Sequence, residues 1–247
     1  VVEPYVTHVL IDFFGTLVEY SPSRTEQGYT ASHALVRSMD VDLGYERFLT
    51  EWAAESARFD RRSAADDSEF SMAEVATAFL SRVLVREPAP AEVGDLVDTY
   101  LREWNTGVSY PAWIPTIVDG LAERFRLAVV SNTHQPGLVT DHLDAMGIAD
   151  RFEIVITSIE VGRRKPHPVI YTEALTRLRV TAASAVFVGD TYVADYTGPQ
   201  PLGLTAYLID PGRQHDLPAG RRLRSLADLP QQLGVRIQAH TAADDAP

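Results

Sequence analysis

Past residue 115 the sequence keeps one rhythm, a short apolar run followed by a helical segment. That rhythm restricts the fold more than any other feature. Ile117–Phe125 reads as a helix, Leu127–Val130 as a strand, Gly137–Met146 as a helix ended by Gly147 at the C′ place, and Glu153–Thr157 as a strand. His167–Leu178 follows as a helix with Pro168 in its first turn. Ala185–Val188 and Leu204–Ile209 read as further strands, and Ser225–Leu233 as a last helix. Val6–Ile11, near the start, reads as one more strand buried on both faces. Strands alternating with helices of this size imply right-handed crossovers. The expected fold is therefore α/β: a Rossmann-like parallel sheet between two helical layers.

One long insertion interrupts the rhythm. Tyr20–Gly28 is polar and reads as a linker, and from Tyr29 to Thr106 the pattern is helical throughout. Ala34, Leu35 and Met39 could line one helix face, and Phe48, Leu49, Trp52 and Phe59 a second. Arg61–Glu69 is charged and reads as a loop. Ser71 with Glu74 is a capping-box signature ahead of Val75, Phe79, Val83 and Leu84. After Pro88 and Pro90, a stripe from Val93 to Trp104 forms the fourth helix, and Pro111–Pro115 reads as the return linker. The expected division is a core from 1–20 and 110–236, a helical cap at 21–109 and a frayed acidic tail at 237–247.

With 247 residues, 45% of them hydrophobic, the chain can bury a large core. No apolar run reaches the roughly 18 residues of a membrane span, and no secretory signal is legible at the first residues. Cysteine is absent, which excludes disulfides and thiolate chemistry. These features suit a cytoplasmic protein with no membrane partner. The net charge of −12 argues against nucleic-acid binding. It also means that an anionic small-molecule substrate needs a local positive site. Of the 22 basic residues, only Lys165 is a lysine, so any chemistry requiring a side-chain amine falls to it.

In a parallel sheet the carboxyl ends of the strands gather at one edge, where ligands bind. The first strand delivers Asp12 there, followed by a turn with Gly15 and Thr16. The second delivers Ser131 and Asn132, the loop after the third carries Arg163, Arg164 and Lys165, and the fourth delivers Asp190, with Asp195 close behind. Asp12 and Asp190, with Asp195, are hard oxygen donors of the kind Mg²⁺ takes. Ser131, a neighbouring backbone N–H and Lys165 can bind phosphoryl oxygens. Lys165 beside Asp12 would keep that carboxylate ionised. In-line attack by Asp12 would then form an aspartyl-phosphate that water hydrolyses.

Four segments in this order, IDFFGTL, VVSN, RRKPHP and VFVGDTYVAD, resemble the motifs of the haloacid dehalogenase superfamily of hydrolases. The likeness covers Val6–Asp210, and the helical insertion is placed like the cap of the family's first subtype. Most members are phosphatases of small metabolites. The resemblance implies Asp12 as nucleophile, Thr16 in the motif turn, and Ser131 and Lys165 as phosphate-binding and charge-neutralising groups. It implies that Asp190 and Asp195 hold Mg²⁺ with Asp12 and the backbone carbonyl of Phe14. Thr16, Gly15, Phe14 and Asn132 make up the substrate- and phosphate-binding set.

Phe14 departs from the pattern. Family phosphatases carry a second Asp at this place, the acid that protonates the leaving group and later activates water. Phe14 moves no proton, and loss of such a group costs about 10²–10⁴-fold. Two branches of the family also lack that Asp. Phosphonoacetaldehyde hydrolases use a cap lysine, which this chain does not have. The 2-haloacid dehalogenases carry an aromatic residue there and work without metal, and Asp195-Tyr196-Thr197-Gly198 resembles their last motif, but they have Ser where this chain has Asp190. A metal-dependent phosphoryl site with weakened acid/base chemistry is the leading expectation. A dehalogenase and a non-hydrolytic binding descendant are the alternatives. A second departure is Gly198-Pro199-Gln200-Pro201, which predicts a short or broken helix after Asp195. His134 and His142 lack further ligands and read as surface histidines. Arg37, Arg58, Arg61 and Arg62 are candidates for substrate contact.

Overall fold

A computed structural model describes residues 6–21 and 27–235. Strand β1 (His8–Ile11) runs down its middle and leads through an exit turn to β2 (Glu19–Tyr20). Four helices follow: α1 (Thr30–Arg37), α2 (Tyr45–Ser63), α3 (Met72–Leu84) and α4 (Pro90–Asn105). The chain returns along β3 (Val108–Ser109) and alternates: α5 (Ile114–Ala122), β4 (Arg126–Ser131), α6 (Leu138–Ala145), β5 (Phe152–Thr157), α7 (Ser158–Val161), α8 (Pro168–Leu178), β6 (Ala185–Gly189), β7 (Thr205–Ile209), β8 (Arg222–Leu223) and α9 (Leu229–Gln232).

The large sheet has the order β5-β4-β1-β6-β7-β8, and every pairing in it is parallel. Its period-2 alternation divides the core. Val9 and Ile11 face one side with α5, α6 and α9, through Val118, Leu121, Leu143 and Leu229. Leu10 faces the other with α8, through Ile170, Tyr171 and Ala174. Helices thus cover both faces, as a parallel sheet requires.

Helices α1–α4 enclose an apolar core of their own around Phe48, Trp52, Phe79, Leu80 and Leu96. Phe79 meets Phe48 edge-on at 5.6 Å and Trp52 at 5.3 Å between ring centroids. Among the described residues, backbone pairing ties this bundle to the sheet at two places. One is the antiparallel ribbon of β2 and β3, pairing Glu19 with Ser109 and Tyr20 with Val108. The other is a backbone seam, in which the N–H of Glu69 donates to Gly162 O (3.1 Å), that of Arg164 to Asp67 O (2.9 Å), and that of Met72 to His134 O (2.8 Å).

Several local expectations change. Helix α2 runs on to Ser63, because Phe59 and Ser63 stay buried and sustain the stripe through the charged residues. On α1 the buried residues are Ser32 and Val36, while Ala34 is exposed; the Ser32 hydroxyl donates to Glu103 at 2.6 Å. Pro115 opens α5 within its first turn instead of ending a linker. Two-residue strands such as β3 and β8 are too short to leave a period. Ser71 and Glu74 form the full capping box. The acidic tail and residues 22–26 of the linker lie outside the described residues.

Candidate active site

The four strand ends do meet. Asp12 follows β1, and its turn is tied by three N–H groups, of Thr16, Leu17 and Val18, donating to the Phe13 carbonyl. Gly15 takes φ +88° in this turn, a conformation L side chains resist. A side chain there would also run into the Asp190 carboxylate, so glycine lets motif turn and carboxylate approach. The Thr16 hydroxyl donates to Asp12 Oδ2 at 3.3 Å.

Lys165 is the hub. Its Nζ donates to Asp12 Oδ1 at 2.6 Å and to Asp195 Oδ1 at 2.7 Å, with 2% of the side chain exposed. Asn132 aims it: the Asn132 amide donates to Lys165 O at 3.0 Å and accepts from Lys165 N at 2.7 Å. Both ends of that side chain are used, so Asn132 positions the ammonium. Asp195 is held from the other side by the Thr191 N–H at 2.8 Å. Ser131 ends β4 and is fully buried beside Asn132. The helix after Asp195 is broken as the prolines require: a π-helical turn over Tyr192–Thr197, then a 3₁₀ turn over Gln200–Leu202. The Tyr171 hydroxyl donates to the Ala194 carbonyl of that π turn.

Asp12, Asp190 and Asp195 each bring a carboxylate oxygen within 4.8 Å of the others. Burial pushes the Asp12 carboxyl up to about 7; Lys165 pulls it down, and Asp195 and Asp190 push it up further. Asp190 is pushed up to about 6, by burial and by Asp195. Burial opposes the charge on Lys165, yet Asp12 and Asp195 outweigh it and raise its pKa. Three converging hard donors with a charge excess of this sign fit a divalent cation such as Mg²⁺.

Above Asp12 lies a cavity. Asp12, Ser131 and Lys165 line it on the sheet side, and Tyr100, Leu101 and Trp104 of α4 on the helical side. Phe14 also lines it and sits in an aromatic wall, with ring centroids 5.4 Å from Trp104, 5.9 Å from Tyr20 and 6.1 Å from His142.

A family model described as haloacid dehalogenase-like hydrolase matches residues 6–203. The chain belongs to this family. Over 216 residues this hydrolase is 28% identical to the ribulose-1,5-bisphosphate 5-phosphatase of Halopiger xanaduensis, covering 85% of this chain and 87% of that one. Over 224 residues it is 27% identical to the human haloacid dehalogenase-like hydrolase domain-containing protein 3, covering 86% and 80%. Among solved structures, the 2-haloacid dehalogenase of Pseudomonas syringae pv. Tomato superposes with a TM-score of 0.67 at 22% identity, covering 93% of this chain and 98% of that one. The HAD-hydrolase YfnB of Bacillus subtilis, bound to magnesium, gives 0.66 at 19%, covering 93% and 99%. At these identities the structural likeness is one of fold.

The arginine and histidine expectations need correction. Arg37, Arg58, Arg61 and Arg62 are exposed, and none lines the cavity. Arg58 pairs with Glu55, and Arg62 lies over the Phe59 ring. The guanidinium that does line the cavity is Arg164. Neither histidine is a surface residue. His142 is buried on α6, stacked 5.8 Å from Phe13, with Nδ1 2.7 Å from the Tyr110 hydroxyl. His134 sits in the loop after β4 and lines the cavity. Its place two residues past Asn132 was the available signal. Among the described residues, no helix is long and apolar enough to cross a membrane.

Proposed function

We propose that this hydrolase is a Mg²⁺-dependent phosphatase of a small, anionic phosphorylated metabolite, working through an aspartyl-phosphate on Asp12. The observation that carries the reading is the Lys165 ammonium bridging Asp12 and Asp195, with the Asp190 carboxylate beside them. Asp12, Asp190, Asp195 and the Phe14 carbonyl would hold the metal, which supplies charge neutralisation between an anionic nucleophile and an anionic substrate. Asp12 attacks phosphorus; Lys165, Ser131 and the neighbouring backbone N–H of Asn132 take the phosphoryl oxygens, whereas the Gly15 N–H is already given to the Val18 carbonyl inside its turn. Thr16 steadies the nucleophile. Residues 21–109 act as a cap over the core of 1–20 and 110–236, with α4 excluding water above Asp12. Two of the curated relatives at matching length or over a shared segment, the ribulose-1,5-bisphosphate 5-phosphatase and the phosphoserine phosphatase of Thermus thermophilus, support a phosphate monoester as substrate.

The test is turnover of 4-nitrophenyl phosphate with and without Mg²⁺. Metal-dependent release that Asp12→Asn brings down to background is the expected result. Turnover unchanged by chelator or by that substitution refutes the reading. The aromatic Phe14 favours a second reading, a metal-independent 2-haloacid dehalogenase. Halide release from 2-chloropropionate in the presence of chelator would establish it, and the negative charge of Asp190 opposes it.

A further inference from the structure

Phe14 leaves the hydrolase without the proton carrier its family places beside the nucleophile, yet the cavity holds another. Nδ1 of His134 lies 2.9 Å from Glu69 Oε1 and 3.2 Å from the Phe70 carbonyl oxygen. An ionised carboxylate and a carbonyl both only accept, so Nδ1 carries the hydrogen and Nε2 is the nitrogen free to exchange a proton. Glu69 is almost wholly enclosed, with 1% of its side chain exposed. Burial pushes its carboxyl up, but the His134 contact and the Arg164 guanidinium, 3.7 Å from Oε2, outweigh it and hold it below the usual range. The imidazole cannot drift: it stacks on Phe70 with centroids 4.2 Å apart and planes 16° apart. Its own carbonyl accepts the Met72 N–H in the seam between bundle and sheet.

The remaining cavity groups are poor carriers. Lys165 is held by two carboxylates, and the Arg164 guanidinium, which only donates, faces Asp60 and Glu69. Asp195 is bound to Lys165 and the Thr191 N–H. Among the described residues lining the cavity, His134 is the one imidazole, and a carboxylate orients it as a general acid/base requires.

We propose that His134 is the catalytic acid and base of this hydrolase, with Glu69 as its positioning residue. The proposal rests on the phosphatase reading above. In the first step the bond from Asp12 oxygen to phosphorus forms, the bond from phosphorus to the ester oxygen breaks, and that oxygen takes the Nε2 proton of the imidazolium, leaving as an alcohol. In the second, water attacks phosphorus, its proton returns to Nε2, and the acyl-phosphate bond breaks, releasing phosphate and the Asp12 carboxylate.

Two substrates of similar shape separate this from a structural role: 4-nitrobenzyl phosphate, whose alcohol leaves poorly without a proton, and 4-nitrophenyl phosphate, whose phenolate leaves unaided. His134→Asn should lower kcat/KM on the benzyl ester by about 10²–10⁴-fold and on the phenyl ester by less than about tenfold. Glu69→Gln, which keeps shape, should show the same asymmetry at smaller size. Added imidazole should restore benzyl-ester turnover to His134→Gly. Equal losses on both esters, or none, with melting temperatures unchanged, overturn the assignment while Asp12-dependent turnover keeps the phosphatase reading intact. If His134→Asn unfolds, the Glu69→Gln asymmetry decides. A wild-type protein inactive on both esters overturns the two together.

Discussion

Removing the Lys165 ammonium tests the electrostatic account of the site most directly. Lys165→Met keeps the apolar stem and its place over the Phe187 ring, 5.3 Å from Nζ, but leaves two buried carboxylates without their shared cation. Breaking a buried pair from one side costs about 3–5 kcal/mol. The lower end applies here, because the Asp12 carboxyl, already pushed up to about 7, can take a proton and relieve part of the strain, while Asp195 keeps its Thr191 N–H. We expect a loss of about 3 kcal/mol. For a chain of this size that lowers the melting temperature by about 6–12 °C, at 2–4 °C per kcal/mol. Urea melts at pH 7 without added metal read it, and the double variant with Asp12→Asn should recover about 1 kcal/mol or more of the sum, since both changes act on one pair. A Lys165→Met protein within about 0.5 kcal/mol of wild type, or strict additivity with Asp12→Asn, refutes the reasoning.

Three other outcomes follow from the same structure. Phe79→Ala should cost about 3–5 kcal/mol in denaturant melts, because Phe79 is fully buried between Phe48 and Trp52; a loss under about 1 kcal/mol would mean the bundle core does not set stability. Gly15→Ala should cost about 1–2 kcal/mol from the positive φ alone. It should also weaken Mg²⁺ binding in calorimetry, as the new methyl displaces Asp190; unaltered affinity would separate Asp190 from the metal. His142 gives a pH dependence. Burial lowers its pKa, against an upward pull from Asp141. The fold therefore prefers the neutral ring, and below about 6.5 the unfolded chain binds the proton first. Stability should fall as pH drops from about 6.5 toward the lower folded value, and His142→Phe should flatten that decline in urea melts at pH 5 and 7.5. His8, also lowered by burial, leaves a residual slope, so the comparison is between variants.

The neighbourhood of Asp12 is open to a sequence reading because its parts are strand ends. Asp12, Ser131 and Asp190 each follow a local apolar run, and a parallel sheet brings such ends to one edge whatever the details. The Ser71 cap and the broken helix after Asp195 are equally local, since a hydroxyl three residues before a Glu and two prolines act on their own backbone. What only the tertiary structure decided are contacts between segments far apart in the chain. Asn132 gripping the backbone of Lys165, 33 residues on, has no periodic signature. Neither has Glu69 reaching His134 across 65 residues, nor Tyr110 reaching His142. Local patterns record which face a residue turns to, whereas these side chains owe their roles to how the bundle docks on the sheet. The sequence by itself therefore determined the α/β layers, the helical insertion and the carboxylates at the sheet edge. The docking decided that Asp12 shares one ammonium with Asp195, that Phe14 belongs to an aromatic wall, and that an imidazole faces the same cavity.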